Sequence, residues 1–450
     1  MYKLLLPIRY LIKRRITLLA IASIALSVFV VVVVMSVHTG LVVNFKEKNH
    51  NFVGDCIVGT DSLVGFTYYD EFAAKLKEQE FIEATSTIIK TFGLLTQPGV
   101  SKDLKVEIMG IDLADHCRVT TFGKGLYYHR DDPLNAFVPD YAPQSPGCVI
   151  GIIKVYGATG TSGKYYHDNY TRGLSFKIGC FPLTAKGALA RKATDLVNKK
   201  TFRFSDDHHS GLVKPDSSMV YLPFDQAQNL CEMAGSQKRA SAIFIKFARG
   251  VNLNEGTEKV TQMWADFVKT KTDSPYQNLL AGVTVQSWPA YYREVIAPME
   301  KEQLMLTLLF IMLGFITVFI IFVVFYMIIS HKSKDIGILK SIGVSSPAIA
   351  QLFLIFAAIV GAIGSVIGTV AGCIFLIKIN DMEDWLFQRY DWQLWDRSVY
   401  AIGKIPNNID WRMITIIICC AIAACIIGVL IPSMQAARRR PAEILQVNQL

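Results

Sequence analysis

The stretch LMLTLLFIMLGFITVFIIFVVFYMII, residues 304–329, is followed at once by SHKSKDIGILKSIGVSSP, residues 330–347. The first part is apolar throughout and long enough to cross a hydrocarbon core of roughly 30 Å. The second is short, basic and punctuated. Asp335 opens an amphipathic helix over about 335–342, with Ile336, Leu339 and Ile342 on one side. Gly343 suits a helix C-terminus, and Ser346 followed by Pro347 suits the N-cap and first position of the next helix. Three more apolar runs have a membrane-crossing length: about Ile16 to Val37, Ile349 to Ile377 and Met413 to Ile431. The polar block from about Leu41 to Gln303 separates the first run from the other three. The expected fold is therefore a membrane α-helical protein with four transmembrane helices, plus a large α+β domain inserted between helices 1 and 2.

Charge placement orients the chain. The net charge of +9 suggests nucleic acid until its distribution is read. Lys3, Arg9, Lys13, Arg14 and Arg15 precede the first crossing; Lys332, Lys334 and Lys340 lie between the second and third; Arg438, Arg439 and Arg440 follow the fourth. Asp381, Glu383, Asp384, Asp391 and Asp396 lie between the third and fourth, in a stretch read as a loop over 378–411. This alternation predicts cytoplasmic termini, a cytoplasmic 331–346 loop and a large domain on the opposite side. The cations set topology and touch anionic membrane lipid; no nucleic-acid partner is implied. The first apolar run is too long for the core of a signal peptide and is read as retained.

Within the polar block, helical spacing over Asp70–Glu80 and Asn254–Lys269 alternates with strand patterns over Ala84–Leu95, Lys105–Ile111, Leu174–Ile178, Met219–Leu222, Ala242–Phe247 and Val283–Ser287. A Gly-, Pro- and Tyr-rich middle, about Gly123–Tyr170, reads as loop. A helix starting near Tyr291 is expected to run into the second crossing. Phe45, Phe52, Phe66, Tyr68 and Tyr69 read as packed core. Five cysteines, Cys56, Cys117, Cys148, Cys180 and Cys231, fall in this block; the odd number leaves at least one unpaired, and the pairing is not legible in the sequence. The third crossing carries Gly361, Gly364, Gly368 and Gly372, small residues that let helices approach closely in lipid.

Catalytic signatures are missing. Gly157 to Lys164 imitates a phosphate loop, but the first glycine stands one residue too early and Tyr165 replaces the magnesium-binding hydroxyl. Asp206, Asp207, His208 and His209 could hold a metal, yet such a cluster is more often a solvated turn. Neither a G-x-S-x-G nor an H-E-x-x-H pattern occurs. Ionisable residues are nearly absent from the crossings, which argues against ion-coupled transport. No catalytic, cofactor-binding or metal residue is assigned, and any work must be driven from a separate chain.

Four stretches resemble an ABC-transporter permease of the MacB/FtsX superfamily, most closely its lipoprotein-releasing (LolC/LolE-type) branch. They are Arg9-Tyr10-Leu11 with Val34-Met35-Ser36-Val37; Met299-Glu300-Lys301; His331 to Gly343; and Ser398-Val399-Tyr400 with Ile405-Pro406 and the tail from Pro432 to Leu445. His331 stands where the family commonly has an acidic residue. The resemblance implies an organisation of 1–43 (N-terminus and first helix), 44–300 (a periplasmic MacB-like domain) and 301–450 (an FtsX-like domain). The periplasmic part would divide into a membrane-proximal α/β subdomain, 44–112 with 240–297, and an inserted β-rich one, 113–239. It also implies a cytoplasmic ABC ATPase dimer holding ATP and magnesium, a second permease subunit and a periplasmic acceptor or carrier. The 335–342 helix would couple to the ATPase through Ile336, Leu339 and Ile342, with Lys334, Asp335 and Lys340 fixing register. The implied function is release of lipoproteins from a bacterial inner membrane. Export of macrolides or peptides, and FtsX-like regulation of a cell-wall hydrolase, are the other activities of the superfamily.

Overall fold

A computed structural model describes residues 15–97, 103–157, 165, 167, 169–189, 197–235, 237–331, 333–390, 392, 405–407 and 409–438. Arg9-Tyr10-Leu11, the glycine-rich run 158–164, Lys332, Asp391, Asp396, Ser398-Val399-Tyr400 and the tail from Arg439 lie outside them, as do the side chains of Lys334 and Asp335. The chain divides into two compact units: 1–42 with 298–394 and 405–450, and 43–297 with 395–404.

The first unit is built from four long apolar helices, the fold class expected: α1 (Arg15–Val53), α6 (Arg293–His331), α8 (Ser346–Tyr390) and α9 (Trp411–Arg438), with the short α7 (Ser333–Ser341) between α6 and α8. Their interior joins Ile24, Val28 and Val32 of α1, Ile321 and Phe325 of α6, Phe353, Phe356 and Val360 of α8, and Cys425 and Val429 of α9. Large apolar side chains also cover the outside; Phe315 is 70 % and Phe319 66 % exposed. A helix that is apolar all round fits a lipid surround. Two helices overrun the expected bounds. α1 continues to Val53, and α8 runs to Tyr390, so the acidic stretch from 378 begins as helix, not as loop. At 1.5 Å per residue α8 is about 68 Å long, far beyond a bilayer core. Lys378 and Asp381 pair along it at 3.1 Å, which lets a charged segment stay helical in water. α6 continues through Pro298, which supplies no amide proton.

The second unit is one mixed sheet with helices packed against it. Its strands are β1 (Cys56–Gly59), β3 (Ile82–Thr96), β4 (Leu104–Ile111), β5 (Gly147–Gly151), β6 (Ser175–Cys180), β7 (Asn198–His208), β8 (Met219–Pro223), β10 (Ala242–Phe247) and β11 (Thr284–Ser287); a separate ribbon pairs β2 (Phe66–Thr67) with β9 (Arg239–Ala240). The order is β11-β1-β10-β3-β4-β8-β5-β7-β6, and β6 pairs back onto β3. The sheet therefore closes on itself over β3-β4-β8-β5-β7-β6. β3 makes this feasible through its length. Residues 82–88 pair with β10 and residues 93–96 pair with β6, while 88–95 pair with β4. At the turning point a Cβ on Gly93 would lie 2.4 Å from the Gly179 carbonyl oxygen, so only glycine fits that approach.

Helix α2 (Tyr69–Lys77) and helix α5 (Leu253–Lys269) cover one flank. Phe72, Leu76, Val260, Trp264 and Phe267 interlock there, with the Phe72 and Trp264 rings edge to face at 4.8 Å. Asn252 caps α5 by accepting from the Asn254 amide. Inside the closed part, Ile108, Ile150, Ile178, Phe202, Phe204, Val220 and Leu222 form a second core. Helix α4 (Phe224–Leu230) plugs it with Ala227 and Leu230. Phe66 and Tyr69 are buried, while Phe52 and Tyr68 pack at core margins.

One expectation fails here. Asp206 to His208 do not lie in a solvated turn: they end β7 and enter the interior, Asp206 and Asp207 0 % exposed and His208 3 %, and His209 just past the strand is exposed. The sequence NKKTFRFSDDH has alternation only at Phe202 and Phe204, and its charged end hides a strand whose Asp206 finds its hydrogen-bond partners inside the fold.

Candidate functional site

Two sites in the membrane unit and one in the sheet domain merit functional scrutiny. The first is α7. Its end is built as the sequence predicts. Gly343 takes φ +94°, its amide donates to the Lys340 carbonyl, and the Val344 amide donates to the Leu339 carbonyl. This double bond pattern is the Schellman stop, which needs a left-handed residue that only glycine adopts without strain. The next helix begins one residue early: the Ala348 and Ile349 amides donate to the Ser345 carbonyl, so Ser345, not Ser346, holds the N-cap position.

The face of α7 differs from the helical-wheel expectation. Ile336 is 4 % exposed and belongs to the core of the unit, Leu339 is half-buried, and Ile342 lies beyond the helix at 77 % exposure. Ile338, on the other side, is 53 % exposed. The apolar side chains offered outward are thus Ile338 and Ile342. The reason is packing: the helix is too short to float, and Ile336 anchors it against its own bundle. Lys340 adds a second tie, its Nζ donating to the Ala437 carbonyl at 2.7 Å. A cation at the C-terminal end of α9 also meets the negative end of that helix's dipole.

The glycines of α8 point inward. A Cβ on Gly364, Gly368 or Gly372 would meet α1, at Ile24, the Ala25 carbonyl oxygen and Val32 respectively, while Gly361 meets Cys425 of α9. All four sit at helix–helix contacts within this chain. Beside them an apolar groove of about 370 Å³ opens between α1, α6 and α9, lined by Val31, Met35, Phe310, Gly314, Ile417 and Cys420 among others. Ser27 and Thr317, which both line it, share a hydrogen bond of 2.9 Å between α1 and α6.

The sheet domain holds a buried polar knot. The Asp206 carboxylate accepts from the amides of Tyr127, Tyr128, His129 and Asp207, at 2.8–3.1 Å. Asp207 faces His167 at 3.1 Å, and burial with the neighbouring Asp206 charge pushes its carboxyl up to about 8. Burial pushes the His116 and His208 imidazoles down to about 3. Asp216 accepts from the Ser210 and Gly211 amides and the Ser210 hydroxyl. The Asp206 and Asp216 carboxylates are held by the chain's own donors. Among the described residues no group of three or more His, Cys, Asp or Glu side chains is arranged to hold a metal. The sequence showed the residues of this knot but not its burial; the Phe202/Phe204 alternation entering Asp206 was the available signal.

Residues 307–441 match the family described as FtsX-like permease C-terminal. The chain is 24 % identical over 164 residues to the lipoprotein-releasing system transmembrane protein LolC of Neisseria meningitidis, covering 36 % of this chain and 40 % of the relative. It is 27 % identical over 120 residues to LolC of Xylella fastidiosa, covering 27 % and 29 %, and 25 % identical over 123 residues to LolE of Haemophilus influenzae, covering 26 % and 29 %. The matched segments thus span two fifths or less of these relatives. Among solved structures, the periplasmic region of MacB from Actinobacillus actinomycetemcomitans aligns at TM-score 0.29 and 13 % identity, over 55 % of this chain and 95 % of that one. The extracellular domain of the transporter YknZ from Gram-positive bacteria aligns at 0.27 and 10 %, over 52 % and 99 %. The chain thus resembles the permeases LolC and LolE, with an FtsX-like permease segment in its membrane half.

Proposed function

We propose that this protein is the non-catalytic permease subunit of an ATP-driven transporter that releases lipoproteins from the bacterial inner membrane. The observation that carries the reading is the likeness to LolC and LolE together with the FtsX-like segment, which contains α7, the glycine contacts of α8 and all of α9. The termini and α7 face the cytoplasm, and the sheet domain faces the periplasm, as the charge alternation requires. A partner ATPase, holding ATP and magnesium, receives the outward side of α7 with Ile338 and Ile342. Lys334 and Asp335 set its register. Because Ile336 and Lys340 tie α7 to its own bundle, a push on the helix is delivered to α6, α8 and α9 and not absorbed by a loose loop. A second permease, of the same or a related sequence, completes the assembly. The apolar lining of the groove between α1, α6 and α9 suits acyl chains, which need burial but no hydrogen-bond partners.

The reading has two tests. Depletion of the protein is expected to leave lipoproteins in the inner membrane; unchanged sorting refutes the substrate. Ile342→Asp in the full-length protein is expected to insert normally and to lose most of the co-purifying ATPase. Undiminished recovery refutes the assigned docking side.

A further inference from the structure

Five cysteines lie in the sheet domain, and the fold selects two of them. Cys180 is the last residue of β6 and Cys231 the residue that ends α4; they are 51 positions apart in sequence. Their sulfurs approach to 3.2 Å, both residues are at most 2 % exposed, and both belong to the core of the closed part of the sheet. Around them the backbone is paired: Cys180 stands opposite Gly93 on one side and Asn198 on the other, and the Cys231 amide donates to the Ala227 carbonyl. Two thiols held this close need only a side-chain adjustment of about 1 Å to reach the bonded distance of ~2.05 Å.

We propose that Cys180 and Cys231 form a disulfide in the mature protein, joining the plug helix α4 to the strand that closes the sheet. The bond forms while the segment is still open to solvent. Each thiol gives up its proton, one Sγ–Sγ bond is made, and the two electrons pass by thiol–disulfide exchange to an oxidised dithiol oxidoreductase. That enzyme's own disulfide breaks and takes up both protons as two thiols. Its effect follows from topology. Between the two cysteines lie β7, β8 and α4, three of the elements that close and plug the sheet; linking the ends of this segment removes much of the freedom it gains on unfolding. Cys56, Cys117 and Cys148 remain thiols.

The test uses the full-length protein, acid-quenched from cells, denatured in detergent and alkylated with a maleimide in the absence of reductant, then digested and weighed. The expected result is one linked peptide containing Cys180 and Cys231, lighter by two hydrogens than its parts, with maleimide on Cys56, Cys117 and Cys148. Reduction before alkylation should release two labelled peptides. Maleimide on both Cys180 and Cys231 in the unreduced sample overturns the proposal, and so does linkage of either to a different cysteine. A phosphine reductant should lower the melting temperature of the wild type by roughly 10 °C. It should leave a Cys180→Ala/Cys231→Ala variant unmoved. Equal responses of the two proteins also overturn the proposal, whatever the stability of the variant.

Discussion

In the membrane unit α8 meets its neighbours through glycines; in the sheet domain β7 meets its neighbours through ionisable side chains that are fully enclosed. Gly368 sits where a single added carbon would stand 2.4 Å from the Ala25 carbonyl oxygen. Asp206 sits where four amides converge on one carboxylate. The contrast follows from the surroundings. Lipid tails give helices no hydrophobic reason to associate, so close backbone approach and dispersion must hold them. The sheet domain, in water, gains from apolar burial and can enclose a charge provided that its hydrogen bonds are complete.

The comparison can be broken at both ends. The largest effect is expected from Gly368→Leu, whose side chain must displace backbone of α1; the cost is about 3 kcal/mol or more. Monodisperse protein in detergent should be lost, and Gly368→Ala should fall between. A well-behaved leucine variant would show that α1 and α8 do not touch as described. Asp206→Ala follows, leaving four donors without an acceptor at about 1–3 kcal/mol for the most buried of them. Thermal melting of the whole protein measures this, and Asp206→Asn should recover part of the loss.

The third test is pH. Asp207, pushed up to about 8, binds a proton more tightly folded than unfolded, so its contribution is complete at acidic pH and is lost as pH rises through about 8. Asp216, raised by burial, acts in the same direction. His116 and His208, pushed down to about 3, are neutral when folded; their contribution is present above the unfolded imidazole value and is lost as pH falls below it. Melting temperature should therefore peak near pH ~6.5 and decline on both sides. Asp207→Asn should flatten the alkaline side and steepen the acid one, where Asp207 opposes the histidines; an unchanged alkaline slope would remove Asp207 from the account. The smallest effect is Lys340→Met, which removes one donor from the end of α9 and should cost about 1 kcal/mol. A loss several times larger would mean that Lys340 holds more than a helix terminus.

Much of this molecule was legible along the chain. Apolar length determined the four crossing helices, since nothing but a helix satisfies a lone backbone segment in lipid. Strand-type residue patterns determined β3, β4 and β10 nearly to the residue, and Gly343 determined the stop of α7 because only its left-handed backbone closes that turn. The sequence also showed glycines at packing intervals on α8. Tertiary structure alone decided which neighbours they meet, that Ile336 turns inward while Ile338 turns out, and that α8 carries its acidic end as helix. It alone brought β6 back to β3, Cys180 to Cys231, and three consecutive titratable residues into the interior. These are choices between faces and between distant partners. Local periodicity is blind to them, because a side chain's burial depends on what the rest of the chain places opposite it.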